Sequence, residues 1–96
     1  MSAYWIARGG EIKDEKALKQ YGELWGPLAQ RYGAQIIAGK GQIDTREGKP
    51  YARQLVIRFA SYDDAVACYE DPDYQALLPI VSKAYDRELV ILDGQD

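Results

Sequence analysis

Two arginines embedded in apolar strand-like runs, Arg8 and Arg58, and three tyrosines, Tyr4, Tyr69 and Tyr74, are the side chains best suited to hold a small molecule. An arginine in a dry interior cannot shed its proton, so it needs an anion, and its planar fork suits a carboxylate. A tyrosine offers an apolar wall and a hydroxyl. These five are the candidate ligand-binding residues, for an organic acid or an aromatic compound. Each also has a structural reading. The arginines would pair with Asp or Glu, across a dimer if not within the chain, and the tyrosines would simply pack. Tyr21, Tyr32 and Tyr85, at helical spacing, read as packing residues with one wet edge.

Other chemistries are excluded or weakened by what is missing. The chain has no histidine and a single cysteine, Cys68. Histidine general bases, haem ligation by histidine and most zinc geometries are therefore out, as are an internal disulfide and a CxxC site. No dinucleotide fingerprint is present, so the expectation is no metal and no cofactor. Cys68 has acidic residues nearby and no basic partner to activate it, and reads as a small core residue. Gly9-Gly10, after a strand and before a helix, reads as a turn rather than a phosphate loop, because Asp14 and Glu15 would repel an anion there.

The elements that must position these residues follow from periodicity. Ala3–Arg8 reads as a strand. Asp14 is an N-cap for a helix over 15–32, on which Leu18, Tyr21, Gly22, Trp25, Leu28, Ala29 and Tyr32 form one stripe. Pro27 should kink or break it, and Gly33 should stop it. A second strand, 34–39, leads to a polar arm over 40–52, then to the strand Arg53–Phe59. Ser61 with Asp64 resembles a capping box before a second helix. Asp71-Pro72 ends that helix and starts another helical stretch, 73–84, with Pro79 inside. Glu88–Asp93 is the last strand.

This order is that of a split βαβ pattern, an α+β ferredoxin-like sandwich with helices on one face of an antiparallel sheet. The 96 residues form a single domain, 1–96. Its open sheet face would carry Tyr4, Ile6, Ile36, Ala38 and Val56 beside Arg8, Gln54 and Arg58. That is too apolar for solvent alone, and a second copy of the chain is the economical cover, giving a homodimer. The net charge of −3 and the lack of exposed aromatics on strand three argue against nucleic acid as a partner. No run approaches the roughly 18 apolar residues of a membrane span, and no targeting segment is visible. The expected location is cytoplasmic.

Runs along nearly the whole chain carry a resemblance: Ala3–Arg8, Tyr32-Gly33-Ala34, Ala38–Gly41, Val56–Phe59, Cys68-Tyr69, Asp71–Gln75 and Asp86–Ile91. The chain is similar to the bacterial domain-of-unknown-function family numbered 1330, in the dimeric α/β-barrel superfamily. It departs from the family's pattern at Ala34, at Cys68, where Trp is usual, and at Arg58, where an acid is usual. The resemblance implies a homodimer whose two sheets pack into a barrel. It supplies no reaction. Related isomerases and monooxygenases imply that cofactor-independent catalysis is available to this fold. Two readings therefore stand: a barrel pocket for a small organic acid or aromatic compound, catalytic or not, and a non-catalytic structural or regulatory dimeric module.

Overall fold

The computed structural model describes residues 1–96. In chain order the elements are β1 (Ala3–Gly9), α1 (Glu15–Tyr32), β2 (Gln35–Ala38), β3 (Arg53–Phe59), α2 (Tyr62–Glu70), α3 (Pro72–Gln75), α4 (Leu78–Ala84) and β4 (Arg87–Asp93). The sheet has the order β2-β3-β1-β4, and every neighbouring pair is antiparallel. All helices lie on one face. The α+β ferredoxin-like architecture is thus as the sequence pattern implies.

Local chemistry sets the boundaries. The Asp14 side chain accepts the Ala17 amide at 3.0 Å and starts α1. Gly33 ends it at φ 65°, a left-handed conformation that glycine takes without strain, and the Ala34 amide donates to the Ala29 carbonyl at 2.8 Å. The Ser61 hydroxyl accepts the Asp64 amide at 3.1 Å and caps α2. Two proline expectations need correction. Pro27 does not break α1, which runs as one helix; the carbonyl it leaves without a donor belongs to exposed Glu23, where water can serve it. Pro79 lies not in the middle of a helix but in the first turn of α4, where its missing N–H has no helical partner to lose.

The core centres on Trp5, which is fully buried on β1. Its ring lies 5.0 Å from Phe59, 5.1 Å from Tyr74, 5.4 Å from Trp25 and 5.8 Å from Tyr69, centroid to centroid. Its indole N–H donates to the Ala65 carbonyl at 3.0 Å, so the polar atom of this buried ring is satisfied. The molecule measures 31 × 31 × 18 Å, the thickness of one sheet and one helical layer.

The open face carries Tyr4, Ile6, Arg8, Gln54, Val56 and Arg58, joined by Glu88, Val90 and Leu92 of β4. Val90 and Leu92 are 47 % and 51 % exposed. Ile36 is not on this face, contrary to the alternation expected from the sequence. It pairs with Ile57 and therefore faces the helices; an irregularity at Ile37 then returns Ala38 to the open side, opposite Val56.

Candidate functional site

The sheet divides the five residues singled out from the sequence. Tyr4 lies opposite Arg58 on β3 and Leu92 on β4, and Arg8 lies opposite Gln54 and Glu88, all on the open face. Tyr69 and Tyr74 sit on the helical side, 5.4 Å apart, both against Trp5. Arg8 and Arg58 form no ion pair within the chain. Arg8 instead lies 5.2 Å over the ring of Tyr51, whose hydroxyl donates to Glu88 at 2.5 Å. Around them the 40–52 arm leans on the sheet and leaves a broad hollow of about 490 Å³, with Asp44, Glu47, Arg46 and Lys49 on its rim. Charges of both signs and wide access to water give this hollow little selectivity for an anion.

The helical side holds a more enclosed hollow. A cleft of about 350 Å³ opens between α1 and the near ends of β3 and β4. Its volume lies at the lower end of the range for small-molecule sites. Leu18, Tyr21, Gly22 and Trp25 line it from α1, the helical spacing that puts them on one face. Ile36, Leu55 and Ile57 line it from the sheet. Its polar groups are Lys40, Arg53, Arg87 and the Tyr21 and Tyr85 hydroxyls, with no carboxylate among the lining residues.

The two arginines are placed by register. On β1, Gly9 pairs with Arg53 on one side and with Arg87 on the other. Neither arginine has an acidic partner. Arg87 donates to the Tyr74 hydroxyl at 2.9 Å and to the Tyr21 hydroxyl at 3.3 Å, and those two hydroxyls are 2.9 Å apart. Arg53 stacks 5.5 Å over the Tyr85 ring, and its Nε is fully covered without a hydrogen-bond partner. Buried donors normally find an acceptor. Two guanidiniums and an ammonium around an apolar slot, with phenols as their only fixed polar company, can hold a carboxylate whose apolar part lies against Trp25, Leu55 and Ile57.

Other groups have structural roles. Burial pushes the Cys68 thiol up to about 12, so it is no nucleophile at neutral pH. Burial likewise pushes the Tyr74 hydroxyl well above the ordinary phenol value. Asp71 ties α1 to the junction of α2 and α3: it accepts from the Tyr32 hydroxyl at 2.6 Å and Arg31 at 2.9 Å, and caps α3 through the Asp73 amide at 2.8 Å. Its carboxyl is held below the ordinary value, chiefly by the Tyr32 hydroxyl. Gly9 is the last residue of β1, and Gly10 bends away with its amide on the Asp86 carbonyl. No three Cys, Asp or Glu side chains converge as metal ligands would.

Arg53, Arg87 and Lys40 are not among the residues the sequence points to, and Tyr21 is there only as a packing residue with one wet edge. The signal was present for the arginines. Each is the first residue of a strand and continues, by steps of two, the helix-facing rows Arg53-Leu55-Ile57-Phe59 and Arg87-Leu89-Ile91. For Lys40 and the Tyr21 hydroxyl the sequence holds no comparable signal.

A family model described as domain of unknown function (DUF1330) matches residues 2–95. No curated protein matches the chain. Among solved structures, a protein of unknown function from Rhodopseudomonas palustris is 16 % identical, with a TM-score of 0.76 over 99 % of this chain and 83 % of its own. A dimeric ferredoxin-like protein of unknown function from Thermobifida fusca is 18 % identical, with a TM-score of 0.62 over 98 % of this chain and 92 % of its own. The hydroxynitrile lyase of Passiflora edulis is 12 % identical, with a TM-score of 0.66 over 99 % and 94 %. At such identities the likeness is one of fold. No helix is long and apolar enough to cross a membrane.

Proposed function

The chain belongs to the DUF1330 family, and we propose that it is a homodimer that binds a small, partly apolar organic anion in the cleft of each protomer. The observation that carries the ligand reading is the cleft's charge: Lys40, Arg53 and Arg87 line it, and no carboxylate does. A bound carboxylate would offset the cations.

The dimer reading rests on the open face. Ile6, Val56, Val90 and Leu92 form an apolar strip there, and the related Thermobifida fusca structure is described as dimeric. A two-fold contact between two such faces would cover the strip and enclose Tyr4, Arg8 and Arg58 between the sheets. In this arrangement Arg58 takes its anion from the partner or from solvent, and the ligand cleft lies outside the interface. Tyr74 serves the cleft through Arg87, and Tyr69 supports Tyr74 by packing.

Calorimetric titration with phenylacetate and with its neutral isostere phenylacetamide tests the ligand reading. The acid is expected to bind, the amide not, and Arg53→Gln should abolish binding. Equal affinity for acid and amide would reject it. Light scattering is expected to give twice the 10.8 kDa chain mass; a monomer at every concentration up to the millimolar range would reject the dimer.

A further inference from the structure

We infer that Tyr21 is the hydrogen-bond donor of the cleft, and that the ligand is therefore an organic acid with a second acceptor oxygen, carbonyl or hydroxyl, beside its carboxylate; this rests on the organic-anion reading above. Tyr21, Tyr74 and Arg87 form a closed triangle of hydroxyl, hydroxyl and guanidinium. Arginine only donates, so each phenol oxygen accepts from Arg87. One hydrogen lies between the two phenols, and one phenolic hydrogen is left over.

If Tyr21 donated to Tyr74, the leftover hydrogen would be that of Tyr74. Tyr74 is fully buried, and its hydroxyl meets only Tyr21 and Arg87. That hydrogen would have no acceptor, which buried donors avoid. If Tyr74 donates to Tyr21, every group in the buried part is satisfied. The leftover hydrogen is then that of Tyr21, which is half-buried and lines the cleft. The Tyr21 oxygen already accepts from Tyr74 and Arg87, so its role toward a ligand is as donor. Arg87 keeps three N–H groups free of the phenols for the carboxylate. Its Nη1 is 3.3 Å from the Tyr21 oxygen, which brings an acceptor at Tyr21 within a bond or two of a carboxylate at Arg87. Tyr74 is a positioning residue: its buried hydroxyl sets the direction of the Tyr21 hydrogen.

Phenylpyruvate and phenylacetate, which differ by one carbonyl, are the probes, titrated into wild type, Tyr21→Phe and Tyr74→Phe. Wild type is expected to prefer phenylpyruvate. Tyr21→Phe should weaken phenylpyruvate about tenfold, the worth of one hydrogen bond, and leave phenylacetate within about twofold. Tyr74→Phe should keep the preference, because the Tyr21 hydrogen stays free. Equal loss of both acids in Tyr21→Phe, or loss of neither, overturns the inference while leaving the cleft an anion site. A stronger preference for phenylpyruvate in Tyr74→Phe also overturns it, since that variant would then have released a Tyr21 hydrogen that Tyr74 had held. Binding of neither acid to wild type removes the anion reading and this inference with it.

Discussion

Replacing Gly9 by alanine should cripple both the fold and the cleft, and the structure gives the size of the effect. A Cβ at Gly9 would stand 2.3 Å from the Asp86 carbonyl oxygen and 2.6 Å from two carbons of the Tyr85 ring. The carbonyl is held by the Gly10 amide at 3.1 Å, and Tyr85 is 3 % exposed, so neither moves freely. The φ of Gly9 is not positive, so space alone is at issue. Overpacking costs about 1–3 kcal/mol, and with a backbone oxygen in the way the expected cost is about 3 kcal/mol. For a domain of this size each kcal/mol moves the melting temperature by about 4–8 °C, so Gly9→Ala should melt about 12–24 °C lower. Gly10→Ala is the control. Nothing lies within 4 Å of its new Cβ, and its φ is also negative. It should be neutral, or more stable by about 0.4–1 kcal/mol through the unfolded chain. Calorimetric melts of both variants decide, with phenylacetate titrated into any Gly9→Ala that folds. If Gly9→Ala melts within about 3 °C of Gly10→Ala, the close approach of Tyr85 to β1 is wrong, and so is the floor of the cleft.

Cys68 should be inert to a disulfide reagent at pH 8 in the native protein, because burial holds the thiol up at about 12, and should titrate as one thiol per chain in denaturant. The Asp71 carboxyl is lowered by the Tyr32 hydroxyl, so its stabilisation is complete above the unfolded value near 3.8 and is lost as pH falls through the lowered folded value. Acid melts should accordingly show the advantage of wild type over Asp71→Asn shrinking below about pH 4; an advantage constant to pH 2 would refute the linkage. Val90→Lys places a charge in the middle of the open face at a residue 47 % exposed in the chain alone. It should yield a folded monomer by light scattering, and an undiminished dimer would move the interface elsewhere.

Much of the architecture is legible in the sequence because β1 and β3 alternate so regularly that seven consecutive pairs keep register. The errors occur where a local rule meets its surroundings. Alternation put Ile36 on the open face, but the irregularity at Ile37 reverses the faces within a four-residue strand, and no residue type announces it. Pro27 reads as a breaker, yet it costs one hydrogen bond on an exposed side of an eighteen-residue helix whose other face is anchored by Ala17 and Leu28. Charges within the apolar runs point to Arg8 and Arg58, which the sheet places on the open face, away from the cleft. The cleft's own arginines stand at strand ends: Arg53 opens the run Arg53–Phe59, and Arg87 lies one residue before the run Glu88–Asp93. What joins them, pairing of both with one glycine, exists only in the assembled sheet.

That pairing also explains why there is a cleft. The helix-facing side chains form rows across β3, β1 and β4: Ile57-Trp5-Ile91, then Leu55-Ala7-Leu89, then Arg53-Gly9-Arg87. The central member shrinks from indole to methyl to nothing along the strand. At the Trp5 row the sheet reaches up to meet Trp25 of α1, 5.4 Å away. Two rows on, only the edges of the slot are furnished, and Tyr85 fills its floor. Close packing would normally abolish such a taper, because an unfilled apolar slot forfeits contacts on every side. Here the taper ends in two arginines that reach inward from the flanking strands, one on the Tyr85 ring and one on two phenols. Hydrophobic packing alone would favour apolar ends to the flanking strands, while the space over Gly9 is taken by the Tyr85 ring. What remains of the slot is apolar along its body and cationic at its mouth, the complement of the small organic anion proposed above.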